Sequence, residues 1–279
     1  MKAAAFDYVP AQSATHALEL LAGSDGEVKL CSGSQSLGPM LNLRLAQVER
    51  LVDVSRIEAL RGFELRADVL RIGSAVTHAR IEDGELPDAT RGLLPAVAAN
   101  IAYRAVRNRG TLGGSLAHAD PAADWVSVMC LLDAGIRVLG ADGERSVPAS
   151  EFFVGPFTTV LGAGELLIAV DVPRFSADAR WSYRKVCRKP GEFADAIGAV
   201  WIDPGRGVAR ALIGSLDGMP QVVDGADAVA ALRRPEGISR LLDDAGMEDA
   251  YERDVHSAML RRALSDIDTP GPDLSRPTP

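Results

Sequence analysis

Apolar residues along the first 175 positions recur at two spacings, every second residue in short runs and every third or fourth residue in longer ones. The first spacing is typical of half-buried strands, and the second of helices that pack on a sheet. The pattern predicts strands at residues 27–33, 50–56 and 165–173, and hairpins at residues 62–76 and 136–147, the second turning near Asp142-Gly143. It predicts helices at residues 13–22, where Ser13 could be the cap, at residues 91–102 and at residues 119–135. This order of elements indicates an α/β or α+β domain that ends near residue 175.

The clearest predicted helix covers residues 119–135. Asp120 is a favourable N-cap, Pro121 suits the first helical position, and Gly135 can end the helix. Asp124 would then lie in the first turn, where a carboxylate interacts favourably with the helix dipole.

A second domain is predicted beyond a polar linker at residues 174–180. Three strand-like runs follow, and the turn at residues 204–207 joins the last two. From Gly225 the chain becomes charged and helical, so we expect a three-stranded antiparallel sheet with helices over residues 180–268. The proline-rich residues 269–279 are expected to form a flexible tail.

Charge and composition argue against several classes of function. The 279 residues carry a net charge of −8, which argues against nucleic acid as a main partner. No stretch reaches the length of a transmembrane helix, and the amino terminus lacks the apolar run of a signal peptide, so a cytoplasmic protein is expected. The three cysteines are far apart in sequence, which predicts reduced thiols and no zinc or iron–sulfur site in this chain.

Two segments combine glycine with small hydroxyl side chains. Residues 31–38 read CSGSQSLG, and residues 107–124 read RNRGTLGGSLAHADPAAD. Glycine lets backbone N–H groups approach a ligand closely, and successive N–H groups in a turn form an anion-binding nest. Two such segments that converge could hold a diphosphate from both sides without a lysine. Neither matches the dinucleotide-binding or the triphosphate-binding glycine motif, and each taken alone could be an ordinary turn.

The chain resembles the FAD-binding medium subunits of molybdenum hydroxylases, a family that includes carbon monoxide, nicotine and xanthine dehydrogenases. The resemblance rests on GSQSLGPMLNLRLAQVERLVDVSRI, VRNRGTLGGSLAHADPAAD and YRKVCRKPGEFADAIGAVW. It implies an α+β fold with a vanillyl-alcohol-oxidase-like (PCMH-type) FAD-binding domain. That domain would cover residues 1–175 as two α/β subdomains, about 1–55 and 56–175, before the small C-terminal domain.

The resemblance also implies which residues contact non-covalently bound FAD. Two groups would line the diphosphate from opposite sides, Ser32, Gly33, Ser34, Gln35 and Ser36 on one and Thr111, Leu112, Gly113, Gly114 and Ser115 on the other. Further contacts would come from Asp124 at the sugar hydroxyls, from Phe193 near the flavin ring, and from Ile101, Leu167 and Lys185. No catalytic or metal-binding residue is assigned.

Two positions depart from the usual family pattern. Ser34 replaces a glycine, which would cost backbone freedom if a positive φ is required there but could add a hydrogen bond to phosphate. Glu192 replaces an aspartate and is longer.

Each assignment has a simpler structural alternative. Asp124 could only stabilise the helix dipole, Lys185 could be a solvated strand residue, and Gln35 could only cap a turn. Leu167 and Ile101 could be core residues. Among the neighbours, Arg107 and Arg109 either bond loop carbonyls or face a partner, and a lone histidine such as His118 is more often structural than catalytic.

The resemblance implies an FAD-carrying electron-transfer subunit of a molybdopterin-containing dehydrogenase. Molybdopterin would lie on a large partner subunit and two-iron two-sulfur clusters on a small one, in a dimer of heterotrimers that reduces an external acceptor. Two alternatives stay open at this point, a self-contained flavin oxidase or dehydrogenase and a non-enzymatic FAD-binding module.

Overall fold

The computed structural model describes residues 2–22 and 27–269, so all of the predicted tail except Thr269 lies outside the described residues. Its first sheet is parallel and has the strand order β1-β3-β2, formed by β1 (Asp7–Pro10), β2 (Val28–Cys31) and β3 (Arg50–Asp53). Helix α1 (Ala14–Leu21) follows β1, and helix α2 (Leu37–Asn42) follows β2. Ser13 caps α1 by accepting a hydrogen bond from the backbone N–H of His16, as the sequence predicted.

The second sheet is antiparallel and has five strands. These are β4 (Phe63–Leu65), β5 (Val69–Gly73), β6 (Gly135–Gly140), β7 (Gly143–Pro148) and β10 (Leu166–Pro173), in the order β4-β5-β10-β6-β7. Both predicted hairpins are confirmed, because β4 pairs with β5 and β6 pairs with β7. A two-stranded ribbon of β8 (Phe153–Gly155) and β9 (Thr158–Thr159) precedes β10.

Helices fill the connections of the second sheet. They are α3 (His78–Glu82), α4 (Leu93–Ala99), α5 (Arg104–Arg107), α6 (Leu112–His118), α7 (Asp124–Leu132) and α8 (Ala149–Phe152). Every residue of α7 is buried, which is typical of a helix that is covered on all sides.

Helix α7 begins later than the sequence predicted. Ala123, not Asp120, is its N-cap residue. The Asp120 carboxylate instead accepts a hydrogen bond from the backbone N–H of Ala122 at 3.0 Å and closes a turn. Asp124 is therefore the first residue of the helix, and the helix ends at Leu132 before a left-handed Asp133.

The C-terminal region contains an antiparallel sheet of four strands, one more than predicted. Its strands are β11 (Arg180–Val186), β12 (Ala196–Asp203), β13 (Val208–Gly214) and β14 (Gln221–Asp224), in sequence order. Three helices follow, α9 (Ala226–Ala231), α10 (Pro235–Asp244) and α11 (Ala250–Asp268). The additional strand β14 has only four residues and lies at the sheet edge.

The C-terminal sheet lies between two apolar layers. Ile197 and Leu212 belong to the main core together with Val128 of α7. Val200 and Ile213 belong to a second core with Leu260 of α11. Since β12 and β13 pack on α7, the amino terminus of α7 is held beside the neighbouring strand β11, and this positions Asp124.

Residues 2–22 and 27–269 contain no helix that is long and apolar enough to cross a membrane.

Candidate functional site

The two glycine-containing segments meet in the structure. We call residues 32–36 the first glycine loop and residues 110–115 the second glycine segment. A Cβ atom on Gly33 would lie 2.0 Å from the carbonyl oxygen of Arg109 and 2.8 Å from the Cα of Gly110. Only glycine fits at position 33, because both of those neighbours are backbone atoms that cannot rotate away.

A cavity of about 540 Å³ opens where the two segments meet. Its size is within the usual range for small-molecule and cofactor sites. Eleven of the predicted cofactor residues line it: Ser32, Gly33, Ser34, Gln35, Ser36, Ile101, Thr111, Gly114, Ser115, Asp124 and Phe193. The wall also includes apolar side chains such as Leu30, Leu37 and Met40.

The first glycine loop carries backbone strain at Ser34. Its φ is 57°, in the left-handed region that disfavours non-glycine residues. The positive φ that the family glycine would tolerate is therefore required here, and Ser34 adopts it. The Gln35 side chain folds back onto its own loop, because its Nε2 donates a hydrogen bond to the Gly33 carbonyl at 2.9 Å. This is the turn-capping contact that the sequence left open.

Ser32 has an unsatisfied hydroxyl. Its Oγ is buried and has no hydrogen-bond partner in residues 2–22 and 27–269, although the residue lines the cavity. A buried polar atom without a partner is costly. A ligand that hydrogen-bonds to this hydroxyl would remove the cost.

The second glycine segment is the start of a helix rather than an open loop. Thr111 is the N-cap of α6, and its Oγ1 accepts from the backbone N–H of Gly114 at 3.2 Å. The helix dipole at this site therefore belongs to α6, and the expectation of a helix start near Asp120 is corrected. Thr111 also forms an isolated bridge to Thr77.

Three of the predicted residues lie in the protein interior. Leu112 and Leu167 belong to the main core. A Cβ on Gly113 would lie 2.4 Å from the Cβ of Ser74 and 2.8 Å from its carbonyl oxygen. Gly113 therefore allows α6 to pack against the chain just beyond β5, and it is absent from the cavity lining.

Asp124 and Lys185 form a buried ion pair beside the cavity. Their side chains are only 6% and 11% exposed, and the Lys185 Nζ donates to the Asp124 Oδ2 at 3.0 Å. The Tyr183 hydroxyl donates to the other carboxylate oxygen at 2.8 Å, and Lys185 also donates to the Asn100 carbonyl at 2.7 Å. Lys185 is thus not a solvated strand residue, and these contacts join α7, β11 and the end of α4.

Burial has opposite consequences for the charges in this cluster. It raises the pKa of Asp124 above its ordinary value, and the Lys185 ammonium and the Tyr183 hydroxyl partly offset that rise. Burial together with the Asp124 carboxylate raises the pKa of Tyr183 well above 10, so this residue stays a hydrogen-bond donor.

Arg107 fixes the segment that carries Ile101. Its guanidinium donates to the carbonyls of Ile101 at 3.0 Å and Ala102 at 2.9 Å, and it pairs with Glu82 at 2.7 Å. The carbonyl-bonding interpretation of Arg107 is therefore confirmed. Ala102 has a φ of 43°, so the hydrogen bonds from Arg107 hold this segment in a conformation that alanine rarely adopts.

Phe193 lies at the mouth of the cavity. It lines the cavity but is 58% exposed. Gly191, two residues earlier, has a φ of 89°, and a Cβ there would lie 2.8 Å from the ring of Tyr103. Glu192 also lines the cavity and forms an ion pair of 3.6 Å with Arg188.

Sequence reasoning missed one buried polar residue in the cavity wall, His78. It is 5% exposed, and its Nδ1 accepts a hydrogen bond from the indole N–H of Trp125 at 3.0 Å. No local motif marks it, because Trp125 is 47 residues away in sequence. His118 also lines the cavity, and its ring contacts that of Phe157 at a centroid distance of 5.2 Å.

Residues 4–175 match the family model described as the FAD binding domain in molybdopterin dehydrogenase. The chain belongs to this FAD-binding family. It is 36% identical over 220 residues to subunit alpha of the 6-hydroxypseudooxynicotine dehydrogenase complex of Paenarthrobacter nicotinovorans, which covers 78% of this chain and 74% of that relative. It is 34% identical over 255 residues to the carbon monoxide dehydrogenase medium chain of Hydrogenophaga pseudoflava, covering 91% and 86%.

Solved structures extend the similarity to the C-terminal region. A structure of carbon monoxide dehydrogenase from Hydrogenophaga pseudoflava matches with a TM-score of 0.84 and 31% identity, covering 96% of this chain and 98% of that chain. Quinoline 2-oxidoreductase from Pseudomonas putida 86 matches with a TM-score of 0.82, 29% identity and coverage of 96% and 98%. The protein thus has the fold of the medium subunits of molybdenum hydroxylases over nearly its whole length.

The residues that line the cavity fit the FAD cofactor of the family. The Ser32 hydroxyl has no partner among the described residues, and a Cβ on Gly114 would lie 2.8 Å from the Thr111 Oγ1 and crowd the second segment. The N–H groups of residues 112–115 already donate to protein acceptors, so the small hydroxyl side chains of the cavity and the dipole of α6 are what suit a diphosphate here without a cationic side chain. Within residues 2–22 and 27–269 there is no cluster of His, Cys, Asp and Glu that could hold a metal ion.

The buried histidine in the cavity wall predicts acid sensitivity. Burial, followed by the charge of Arg107, lowers the pKa of His78 from 6.5 to about 4. A lowered folded-state pKa gives full stability above pH 6.5, which is lost as the pH falls toward 4. We therefore expect urea unfolding to show about 3 kcal/mol more loss of stability between pH 7 and pH 4 in the wild type than in His78→Gln. An equal loss in both proteins would contradict a buried neutral histidine.

Proposed function

We propose that this chain is the FAD-carrying electron-transfer subunit of a heteromeric molybdenum hydroxylase. The observation that carries the proposal is the meeting of the two glycine segments at Gly33 and Gly110, around a cavity with an unpartnered Ser32 hydroxyl. Family membership supplies the identity of the ligand. Bound FAD would supply the redox chemistry by accepting electrons one at a time and passing them on to an acceptor.

The residues of this chain bind and orient the cofactor in this proposal. The first glycine loop and the start of α6 hold the diphosphate. The close approach of the two glycine segments at Gly33 and the dipole of α6 allow this arrangement. Asp124 accepts hydrogen bonds from sugar hydroxyls, because it lines the cavity and its Oδ2 has a lone pair beyond the one that Lys185 uses. Phe193 and Ile101, which line the cavity, would contact the flavin. Leu112, Gly113 and Leu167 support these groups from the core.

The remaining parts of the enzyme are proposed to lie on other chains. The relatives are a medium chain and a complex subunit by name, which supports assembly with other subunits. We propose that these are a large molybdopterin subunit and a small iron–sulfur subunit, in a dimer of heterotrimers. Electrons then enter from the clusters of the small subunit and leave to an external acceptor. We place this complex in the cytoplasm.

The experiment is purification of the affinity-tagged full chain from its native cells and, separately, from a host that expresses it alone. We expect the native preparation to contain two further subunits, molybdenum, iron and releasable FAD. We expect the chain made alone to bind FAD, to release it intact on denaturation, and to be reduced by dithionite.

Two outcomes would contradict the proposal. A chain that purifies from its native cells without molybdenum or iron would indicate a self-contained flavoprotein or a binding module. Flavin that is FMN, or that stays attached to the denatured chain, would contradict the assignment of the two glycine segments to a non-covalent diphosphate.

A further inference from the structure

We propose that His78 is a cofactor-binding residue whose neutral imidazole donates an Nε2–H hydrogen bond to a diphosphate oxygen of FAD. The inference rests on the proposed function in one respect, that the ligand of the cavity is FAD. It adds a side-chain donor to a site that otherwise offers backbone N–H groups and small hydroxyls.

The tautomer of His78 follows from its partner. The indole N–H of Trp125 can only donate a hydrogen bond, so the Nδ1 that it contacts at 3.0 Å must carry a lone pair. In a neutral ring the proton then lies on Nε2. Trp125 is buried within α7, so its indole holds the imidazole in a fixed orientation.

The Nε2 edge lies where the two glycine segments meet. A Cβ on Gly110 would be 2.8 Å from the Nε2 of His78, and a Cβ on Gly33 would be 2.8 Å from the Cα of the same Gly110. The backbone N–H of His78 also donates to the Gly110 carbonyl at 2.9 Å, which ties the amino terminus of α3 to this point.

The Nε2–H group has no protein acceptor in the part of the chain that the structure describes. In residues 2–22 and 27–269 the imidazole has one side-chain hydrogen bond, the one from Trp125. The ring is 5% exposed and lines the cavity. The Nε2 is not among the fully buried polar atoms without a partner, so this donor is accessible from the cavity, where a ligand acceptor can take its hydrogen bond.

The charge around the ring favours an anionic acceptor. Arg107 acts on His78 electrostatically and disfavours a second positive charge there, so the ring donates as a neutral group. Arg107 is itself paired with Glu82 and bonded to loop carbonyls, and is therefore committed elsewhere. A hydrogen bond to an ionised oxygen is stronger than one to a neutral oxygen, so phosphate is the strongest acceptor that FAD offers.

The first test compares three ligands on the apo form of the full chain. FAD and ADP both contain a diphosphate, whereas riboflavin contains none. We expect His78→Phe to weaken FAD and ADP by the same factor, about tenfold to a hundredfold, and to leave riboflavin unchanged. His78→Gln keeps an amide donor and should retain most of the affinity. His16→Phe, a histidine outside the cavity, is the matched control.

The second test reads the protonation of the two His78 ring nitrogens by NMR and needs no affinity measurement. In protein with ¹⁵N-labelled histidine at pH 7, we expect His78 to show a protonated Nε2 and an unprotonated Nδ1, and we expect the Nε2–H resonance to shift when ADP is added. In Trp125→Phe we expect the preference for the tautomer with a protonated Nε2 to be lost. These spectra need only the wild type and a conservative variant, so they decide the question even if His78→Phe does not fold.

The outcomes separate this inference from the proposed function. Wild-type protein that binds no FAD would contradict the proposed function. Wild type that binds FAD, with His78→Phe equal to it, would overturn the role of His78 alone. Weaker riboflavin binding with unchanged ADP binding would place the contact at the flavin and overturn the diphosphate assignment, and a protonated Nδ1 would overturn the donor itself.

Discussion

Gly33→Ala is expected to reduce the affinity for FAD by about a hundredfold or more, equivalent to roughly 2.7 kcal/mol. The new Cβ would lie 2.0 Å from the carbonyl oxygen of Arg109, and both clashing groups belong to the backbone. The first glycine loop and the second glycine segment must separate to accommodate it, and the cavity that both segments line then changes shape. Fluorescence titration of FAD against the apo form of the full chain measures the loss.

Gly38→Ala is the matched control for this variant. Gly38 lies in α2, where the nearest atom to a new Cβ would be the Cβ of Ser34 at an ordinary 3.9 Å. Alanine also favours a helix over glycine by up to about 1 kcal/mol. We expect unchanged FAD affinity and equal or higher stability.

Ser32→Ala tests the same site without a steric clash. Removal of a buried hydroxyl that has no partner should not lower the stability of the apo protein. If FAD uses that hydroxyl, its affinity should fall about tenfold. Wild-type FAD affinity in both Gly33→Ala and Ser32→Ala would show that the two glycine segments do not form one cofactor site.

Local patterns predicted the elements whose signals are local. The hairpin of β6 and β7 could be predicted because alternation on both sides flanks the Asp142-Gly143 turn, and the two strands pair up to Gly140 and Gly143. The cap of α1 could be predicted because Ser13 directly precedes its helix. In both cases the residues that decide the structure are neighbours in sequence.

The start of α7 shows why a cap signal can mislead. An aspartate before a helix-compatible run is favourable both as an N-cap and in a turn, because its carboxylate accepts from the backbone N–H two residues on in either case. Asp120 makes the turn contact to Ala122, and the helix begins at Asp124. Conversely, Gly113 and Gly114 concealed the start of α6, since paired glycines have low helix propensity.

The site could be predicted in part for the same reason. The two glycine segments can be recognised by their composition, and the family resemblance adds Asp124 and Phe193 to the expected site. His78 and Tyr183 could not be found from sequence, because each acquires its role through a partner 47 or 59 residues away. Leu112 and Gly113 lie within a motif that suggests contact, but their side chains or Cβ positions face the core.

The ion pair of Asp124 and Lys185 leads to the second large expected effect. We expect Asp124→Asn and Lys185→Met each to lower the free energy of unfolding by about 3–5 kcal/mol, because each leaves its buried partner without its counter-charge. Tyr183→Phe removes one hydrogen bond and keeps the ion pair, so it should cost about 1 kcal/mol. Urea unfolding of the apo protein at pH 7 provides the comparison.

The double variant decides between a buried pair and two independent residues. With both charges removed, neither buried group lacks a partner of opposite charge, so Asp124→Asn/Lys185→Met should be less destabilised than the sum of the single variants by more than about 1 kcal/mol. Because the pair joins α7 to β11 across the wall of the cavity, the single variants should also bind FAD more weakly. Additive effects, or single losses below about 1 kcal/mol, would show that the pair does not hold the C-terminal sheet against the FAD-binding domain.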